Sequence, residues 1–304
     1  MNRETAYDDL PAGLLAEIER DGLDPRTVYA MVVTALEEDL PGGSDDVTSA
    51  ATIPADAHGT ADLAARADGV VAGLAIAELV FHYVMGGEVS ADRRVSDGSH
   101  VSAGDVVLTV SGPVRGLLTA ERTALNFAGH LSGVATATAA WVAALEGTRA
   151  RVLDTRKTLP GWRGLQKYAV RCGGGGNHRF SLSDMALVKD NHVLAAGGVV
   201  PAFEAVGRCA PDLPVEVEVT TLDELQELLA AGCDRILLDN MDDRQLAEAV
   251  RLTAGRATLE ASGGLTVDRA REVAATGVDL ISVGSLTHSV AVLDLGMDLR
   301  PVAP

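Results

Sequence analysis

The chain has 304 residues, a formal net charge of -18 and 47% hydrophobic residues, which is the composition of a globular protein. Its acidity argues against a nucleic-acid partner, because neutralising phosphates requires a broad basic face. The most apolar run, residues 69–87, is interrupted by Glu78 and His82 and is therefore too polar to span a membrane. Three widely spaced cysteines and a polar first segment without a signal-peptide pattern predict a reduced, cytoplasmic protein.

The N-terminal half mixes helices with short β-like runs. The first twenty or so residues form a polar lead-in, and Asp24-Pro25 then opens a helix, since Asp suits the cap and Pro the first turn. A second helix is predicted over residues 74–85 and a longer one over residues 121–145. Residues 97–108 resemble the hammerhead hairpins of lipoyl and biotinyl domains. Those domains carry a lysine on the turn, and no lysine precedes Lys157, so only a structural β-hairpin is predicted there.

The C-terminal half alternates apolar, β-branched runs with amphipathic helices, which predicts a parallel sheet covered by helices. The predicted strands are residues 150–154, 185–189, 215–219, 235–239, 257–261 and 280–283. The predicted helices include residues 222–231, 243–253 and 267–275. Polar residues close most of these strands, as at the catalytic rim of a β/α barrel. Six strands are predicted, whereas a full β/α barrel has eight. The barrel is therefore expected to be incomplete, unless two of its strands are not recognisable from the sequence.

The cations of this acidic chain are concentrated in one window. Residues 151–192 contain all three lysines of the chain and hold eight Lys or Arg against three Asp, a net charge of +5. The remaining residues carry 17 Lys or Arg and 40 Asp or Glu, a net charge of -23. Such a concentration predicts a pocket for an anion and indicates chemistry on a multiply charged small molecule.

Three motifs lie inside this window. Arg156-Lys157 follow a strand directly, and adjacent cations there repel each other unless an anion lies between them; a solvated loop is the alternative. Four consecutive glycines, residues 173–176, precede His178-Arg179, which suits close approach of the main chain to an anion; a flexible surface loop is the alternative. Lys189 ends an apolar strand, where its charge requires a barrel mouth or a partner.

Acidic and glycine-rich motifs follow on the later strands. Alternation places Glu216 and Glu218 on one face of their strand, and Asp239 closes the next. Carboxylates beside a phosphate site suit magnesium or ribose hydroxyls, although each could be an ordinary strand-end cap. The turns at residues 262–264 and 284–288 have the composition of a barrel phosphate cradle.

Taken in order, these motifs resemble the quinolinate phosphoribosyltransferase family. The resemblance covers nearly the whole chain, and its first part rests on residues 46–49, 121–126 and 131–136. Its second part rests on residues 154–157, 173–179, 189–192, 216–219, 238–240, 260–264 and the turn at Gly284. It implies an N-terminal hammerhead-like α/β sandwich over residues 1–129, joined by the C-terminal segment 289–304. Residues 130–288 would form the incomplete parallel β/α barrel.

The resemblance also implies the reaction and the residues that perform it. The family transfers phosphoribosyl from phosphoribosyl pyrophosphate to quinolinate with decarboxylation, in de novo NAD biosynthesis. Lys157, Glu218 and Asp239 would be catalytic. Quinolinate would meet Arg156, His178, Arg179 and Lys189, with Arg122 donated by the partner subunit of a homodimer. Phosphoribosyl pyrophosphate would contact Thr155, Lys157, Glu218, Asp239, Ser262, Gly263, Gly264, Gly284, Ser285 and His288.

The implied cofactor is Mg²⁺, held directly or indirectly by Glu218 and Asp239, and no organic cofactor is expected. Assembly beyond a dimer stays open. Lys167 is expected to be a bystander. Two alternatives are a phosphoribosyltransferase for another pyridine carboxylate, such as nicotinate, and a non-catalytic paralogue that binds phosphorylated ligands. The four cations Arg122, Arg156, Arg179 and Lys189 favour a dicarboxylate, and retention of Lys157, Glu218 and Asp239 favours an enzyme.

Overall fold

The computed structural model describes residues 5–300, which form an α/β protein. The strands are β1 His58–Ala65, β2 Gly69–Val70, β3 Ser90–Arg93, β4 His100–Val101, β5 Val106–Pro113, β6 Arg151–Leu153, β7 Ala186–Val188, β8 Val215–Val219, β9 Arg235–Asp239, β10 Thr258–Ser262, β11 Leu280–Ser282 and β12 Leu295–Leu299. The α-helices are α1 Ala12–Arg20, α2 Pro25–Asp39, α3 Val47–Thr52, α4 Leu74–Met85, α5 Val114–Ala144, α6 Arg163–Cys172, α7 Asp190–Ala196, α8 Val199–Cys209, α9 Leu222–Ala230, α10 Asp243–Thr253, α11 Ala270–Ala275 and α12 Ser285–His288. Over residues 5–300, no helix has both the length and the apolar character needed to cross a membrane.

The described residues divide into two compact units. The first comprises residues 5–136, 164–173 and 290–300, and the second comprises residues 137–163 and 174–289. The first unit therefore includes a short internal segment, residues 164–173, that the sequence analysis assigned to the barrel.

The first unit contains a four-stranded antiparallel sheet in the order β12-β1-β5-β3. Strand β12 pairs with β1 from Ala61–Leu299 to Ala65–Leu295, so the C-terminal end of the chain completes this sheet. Helix α4 is buried at nearly every position, because its sequence is apolar on all sides.

The second unit contains a six-stranded parallel sheet in the order β6-β11-β10-β9-β8-β7. All six predicted strands are present, with bounds that differ from the prediction by one residue at most. Strands β6 and β7 form the two edges of this sheet. Among the described residues they do not pair with each other, so the sheet does not close into a full barrel. The predicted incomplete parallel β/α barrel is therefore confirmed.

Two predictions for the first unit are wrong. The N-terminal lead-in contains α1, which buries Leu14 and Ile18 one helical turn apart. The predicted hairpin is absent because β4 and β5 do not pair with each other. Strand β4 pairs with β2, whereas β5 pairs with β1 and β3, so the turn between them joins two different sheets.

Candidate active site

A cavity of about 620 Å³ lies at the carboxyl ends of the parallel strands of the second unit. Side chains alternate along a strand, so residues two apart share a face. This alternation brings Glu218 of β8, Asp239 of β9 and Ser262 of β10 to the cavity. The cavity is lined by Thr155, Arg156, Lys157, His178, Arg179, Leu187, Lys189, Glu218, Leu237, Asp239, Asn240, Glu260, Ser262, Gly263, Gly264 and Ser282.

Two arginines in the cavity wall are suited to bind an anion. Burial and the neighbouring charge of Arg156 lower the pKa of Arg179. One nitrogen of Arg179, Nη1, donates to the carbonyl of Met185 at 3.0 Å. The Nε of Arg156 is buried without a hydrogen-bond partner among the described residues. Two cations that repel each other and retain free donors favour a negatively charged ligand between them.

The glycine segment before His178 extends the sheet at the edge of β6. Gly176 donates to the carbonyl of Val152 at 2.9 Å, and the amide of Asp154 donates back to Gly176 at 3.1 Å. A Cβ at Gly176 would lie 2.6 Å from Cδ2 of Leu153, so the end of that leucine side chain would have to move to admit one. The main chain at Gly176 therefore packs closely against β6.

The buried carboxylate of Asp154 fixes the chain that follows these glycines. It accepts the amide of His178 at 2.9 Å and Nδ2 of Asn177 at 2.6 Å. The position of His178 and Arg179 beside the cavity is therefore set by hydrogen bonds from the end of β6.

His178 is held between two fully buried carboxylates. Its Nε2 lies 2.8 Å from Glu216 and 3.4 Å from Glu260, and its own side chain is only 5% exposed. Burial lowers the pKa of His178, but the hydrogen bonds and charges of the two glutamates outweigh it and raise the pKa to about 9. In the neutral ring, Nδ1 accepts the amide of Arg179 at 2.7 Å. Both carboxylates face Nε2, so a second proton on the ring requires the hydrogen bond at Nδ1 to be given up.

Arg235, at the start of β9, contacts the same two carboxylates from the other side. Its Nε lies 3.0 Å from Glu216 and its Nη2 lies 3.4 Å from Glu260. His178, Glu216 and Glu260 have the donor types of a metal site and lie within 4.8 Å of one another. The guanidinium already supplies positive charge to both carboxylates, so the cluster is an ion network in the wall of the cavity.

Two of the residues predicted to bind different substrates contact each other. The Nζ of Lys189 lies 2.5 Å from Oε2 of Glu218. The other predicted metal ligand, Asp239, accepts Nδ2 of Asn240 at 2.7 Å. The cavity thus contains one carboxylate paired with a cation and one paired with a neutral amide.

Two glycine turns border the cavity. Gly263 has a φ of 107°, and a Cβ on it would lie 2.3 Å from Oδ1 of Asn240. At Gly284, a Cβ would lie 2.9 Å from Cδ of Lys157, 3.3 Å from His288 and 3.5 Å from Thr155. Both turns bring main chain within reach of polar side chains, as a phosphate cradle requires.

The structure brings most of the predicted site residues together. Eleven line the cavity: Thr155, Arg156, Lys157, His178, Arg179, Lys189, Glu218, Asp239, Ser262, Gly263 and Gly264. Gly284 and His288 lie beside Lys157 and Thr155, and Ser285 begins α12. Arg122 lies on α5 in the first unit, and Lys167, buried on α6, also belongs to that unit.

Sequence reasoning missed part of the network of ion pairs and hydrogen bonds around His178. Arg235, Asn177 and Glu260 received no role, although alternation along β8, β9 and β10 places Glu216, Arg235 and Glu260 on the cavity-facing side of the sheet. Asn177 carried no periodic signal, because it lies in an irregular segment.

Family models match nearly the whole chain. Residues 46–132 match the N-terminal domain of quinolinate phosphoribosyl transferase, and residues 134–298 match its C-terminal domain. A nicotinate-nucleotide pyrophosphorylase [carboxylating] of Mycobacterium leprae is 52% identical over 271 residues, covering 87% of this chain and 94% of that protein.

Solved structures agree with these matches. NadC from Streptococcus pyogenes has a TM-score of 0.87 at 42% identity, covering 91% of this chain and 98% of that one. The nicotinate-nucleotide pyrophosphorylase from Francisella tularensis has a TM-score of 0.86 at 38% identity, covering 90% and 96%. The chain therefore belongs to the quinolinate phosphoribosyltransferase family.

Proposed function

We propose that this enzyme transfers the phosphoribosyl group of phosphoribosyl pyrophosphate to quinolinate, in the route of de novo NAD biosynthesis. The products are nicotinate mononucleotide, pyrophosphate and CO₂. The observation that carries the proposal is the single cavity in which Arg156, Lys157, Arg179 and Lys189 face Glu218 and Asp239. An acceptor with two carboxylates and a donor with ribose and phosphates require this combination.

The cationic part of the cavity binds the acceptor. Arg156 and Arg179 carry planar donor groups that fit a carboxylate, and they repel each other until an anion arrives. His178 and Lys189 supply further positive charge for the second carboxylate. Quinolinate held in this way presents its ring nitrogen to the ribose.

The acidic and glycine-rich part binds the donor. The glycine turns at residues 262–264 and 284 hold the 5′-phosphate, and Lys157 faces the pyrophosphate. Glu218 and Asp239 contact the ribose hydroxyls and stabilise positive charge that develops at the ribose carbon as pyrophosphate leaves.

Decarboxylation follows from the new bond to the ring nitrogen. The ring nitrogen becomes a pyridinium, so the carboxylate beside it departs as CO₂ and leaves its electron pair on the ring carbon, which then takes a proton. Arg156 and Arg179 hold the retained carboxylate, because their forked geometry fixes its orientation.

Magnesium is part of the proposal. The carboxylates of Glu218 and Asp239 are the oxygen ligands that this ion prefers, and both line the cavity. An ion held there would supply positive charge to the leaving pyrophosphate.

The proposal includes a homodimer that shares its active sites. Arg122 would reach quinolinate from the partner subunit, which is supported by its place on α5 outside the residues that line the cavity. We place the enzyme in the cytoplasm, which is supported by three cysteines that form no disulfide.

The assay follows pyrophosphate and CO₂ in the presence of Mg²⁺, phosphoribosyl pyrophosphate and quinolinate. We expect both products in equal amounts and a lower kcat/KM with nicotinate than with quinolinate. Arg179→Met should raise the KM for quinolinate about tenfold to a hundredfold, because a charged hydrogen bond is lost. The control Arg151→Met removes an exposed cation of the same sequence window that does not line the cavity.

Two results would contradict the proposal. A preference for nicotinate would assign the enzyme to a monocarboxylate. Calorimetric binding of both ligands without product would make the chain a non-catalytic binding protein.

A further inference from the structure

The contact between Lys189 and Glu218 joins two groups that the proposed reaction assigns to different substrates. Lys189 belongs to the quinolinate side and Glu218 to the side of the ribose and magnesium. Their charged atoms are 2.5 Å apart, and the Glu218 side chain is only 10% exposed. Each charged group is therefore neutralised by the other, although the proposed reaction requires each of them to bind a ligand.

The other ion pair between residues lining the cavity, His178 with Glu260 at 3.4 Å, does not join groups assigned to opposite substrates. Neither Arg156 nor Arg179 lies within 4 Å of a carboxylate among the described residues, and each repels the other. Asp239 contacts the uncharged amide of Asn240. Lys189 and Glu218 both line the cavity. Among the described residues, theirs is thus the one ion pair there that joins a group of the quinolinate side to a group of the donor side.

We propose that the Lys189–Glu218 ion pair couples the binding of the two substrates. A carboxylate of quinolinate withdraws Lys189 from Glu218, which frees Glu218 for the ribose hydroxyls and magnesium. The donor complex, when it engages Glu218, releases Lys189 in the same way. Because breaking the pair costs free energy only once, the second ligand binds to a site that the first has already opened, and the effect is reciprocal. This inference rests on the proposed function.

Phthalate is a suitable probe, because it has two adjacent carboxylates but no ring nitrogen and cannot react. Isothermal titration measures its Kd alone and with saturating Mg²⁺ and phosphoribosyl pyrophosphate. We expect the Kd of the wild type to fall about fivefold when the donor is present. The Kd of the donor should fall by the same factor when phthalate is present.

Variants separate the ion pair from general electrostatics. Glu218→Gln keeps the size of the side chain but releases Lys189, so phthalate should bind about fivefold more tightly to the donor-free protein, and the coupling should disappear. Asp239→Asn is the matched control: it removes a carboxylate from the same cavity without releasing Lys189. In Asp239→Asn, the Kd of phthalate without the donor should stay closer to that of the wild type, and adding the donor should still lower it.

Three outcomes would overturn the inference. The first is an unchanged Kd for phthalate in the wild type with and without the donor. The second is equal tightening in Glu218→Gln and Asp239→Asn, which would show an effect of net charge alone. The third is coupling that persists in Lys189→Met. Failure of the wild type to bind phthalate at all would contradict the dicarboxylate site of the proposed function itself, and the inference with it.

Discussion

His178 has a charge that depends on its two buried glutamate neighbours. Because Glu216 and Glu260 raise its pKa to about 9, the proton is bound more tightly in the folded protein than in the unfolded chain, where the pKa is about 6.5. The resulting stabilisation is complete below about pH 6.5 and is lost as the pH rises through about 9.

This difference predicts how stability changes with pH. We compare the free energy of urea unfolding of the wild type with that of His178→Gln between pH 6 and pH 10. The advantage of the wild type should be largest near pH 6 to 7 and should decrease towards pH 10. An advantage that grows with pH would show that the ring is neutral in the native protein.

At the scale of single residues, the sequence identified most groups of the cavity but not their contacts. Lys189 and Glu218 were both predicted to bind substrates, yet their pairing depends on the distance between β7 and β8, which no local pattern specifies. Asp154 was recognised only as a strand end. Its role in holding Asn177 and His178 follows from hydrogen bonds across an irregular segment.

At the scale of elements, strands β8, β9 and β10 are joined by charge as well as by main-chain hydrogen bonds. Arg235 of β9 contacts Glu216 of β8 and Glu260 of β10, and both glutamates are completely buried. Burial alone raises the pKa of Glu216, but the hydrogen bonds and charges of His178 and Arg235 lower it overall. Without Arg235, two buried carboxylates would share one cation.

Arg235→Met should therefore destabilise the protein by about 3 kcal/mol, since it breaks a buried ion network and leaves a carboxylate without compensation. Chemical denaturation at pH 7 measures the loss. Arg251→Met is the control, because Arg251 pairs with Glu248 on the exposed face of α10 and should change stability by about 0.5 kcal/mol or less. Equal effects of the two substitutions would show that the network contributes no special stability.

The glycine turn after β10 gives a second test at this scale. Gly263→Ala should raise the KM for phosphoribosyl pyrophosphate about tenfold and lower the melting temperature. Its new Cβ would collide with Asn240 at a φ of 107°. Gly264→Ala introduces the same group at a φ of 58° with no atom within 4 Å, so it carries backbone strain without the collision and its effect should be smaller. Indistinguishable variants would mean that the turn adapts and does not position a phosphate.

Elements with strong periodic patterns were predictable, and elements defined by pairing partners were not. Helix α2 begins at Pro25 and helix α4 spans residues 74–85, both as predicted, because caps and apolar faces are local signals. Helix α1 was missed because its buried face is only Leu14 and Ile18 within a polar segment. The false hairpin before β5 arose because strand propensity does not reveal which strand is the neighbour.

At the scale of the whole molecule, the proposed dimer makes a prediction about mixed subunits. Arg122→Ala and Lys157→Ala should each be nearly inactive. In a hybrid dimer, one of the two sites combines an intact barrel with an intact Arg122 from the partner. Random pairing makes about half of the dimers hybrids, so co-expression should restore about a quarter of wild-type activity. A tagged copy of each variant allows the hybrid to be purified and assayed.

The control is a hybrid of two variants that each carry their substitution in the barrel, Lys157→Ala and Lys189→Ala. Every site in that hybrid contains one defective barrel, so activity should stay low. Recovery in neither mixture would contradict the sharing of sites between subunits, and recovery in both would indicate a trivial cause such as contamination.

The open edge of the parallel sheet has an evolutionary consequence. Glu218, Asp239 and Ser262 lie on strands held by neighbours on both sides, whereas Arg156, Lys157, His178 and Arg179 lie in the irregular segments on either side of α6, between the two edge strands β6 and β7. Under the proposed function, substitutions or length changes in these segments would alter which aromatic acid is accepted without disturbing the paired strands proposed to serve the sugar donor. New acceptor specificities should therefore arise by exchanging residues 155–162 and 174–185 while α6 and the paired strands are kept.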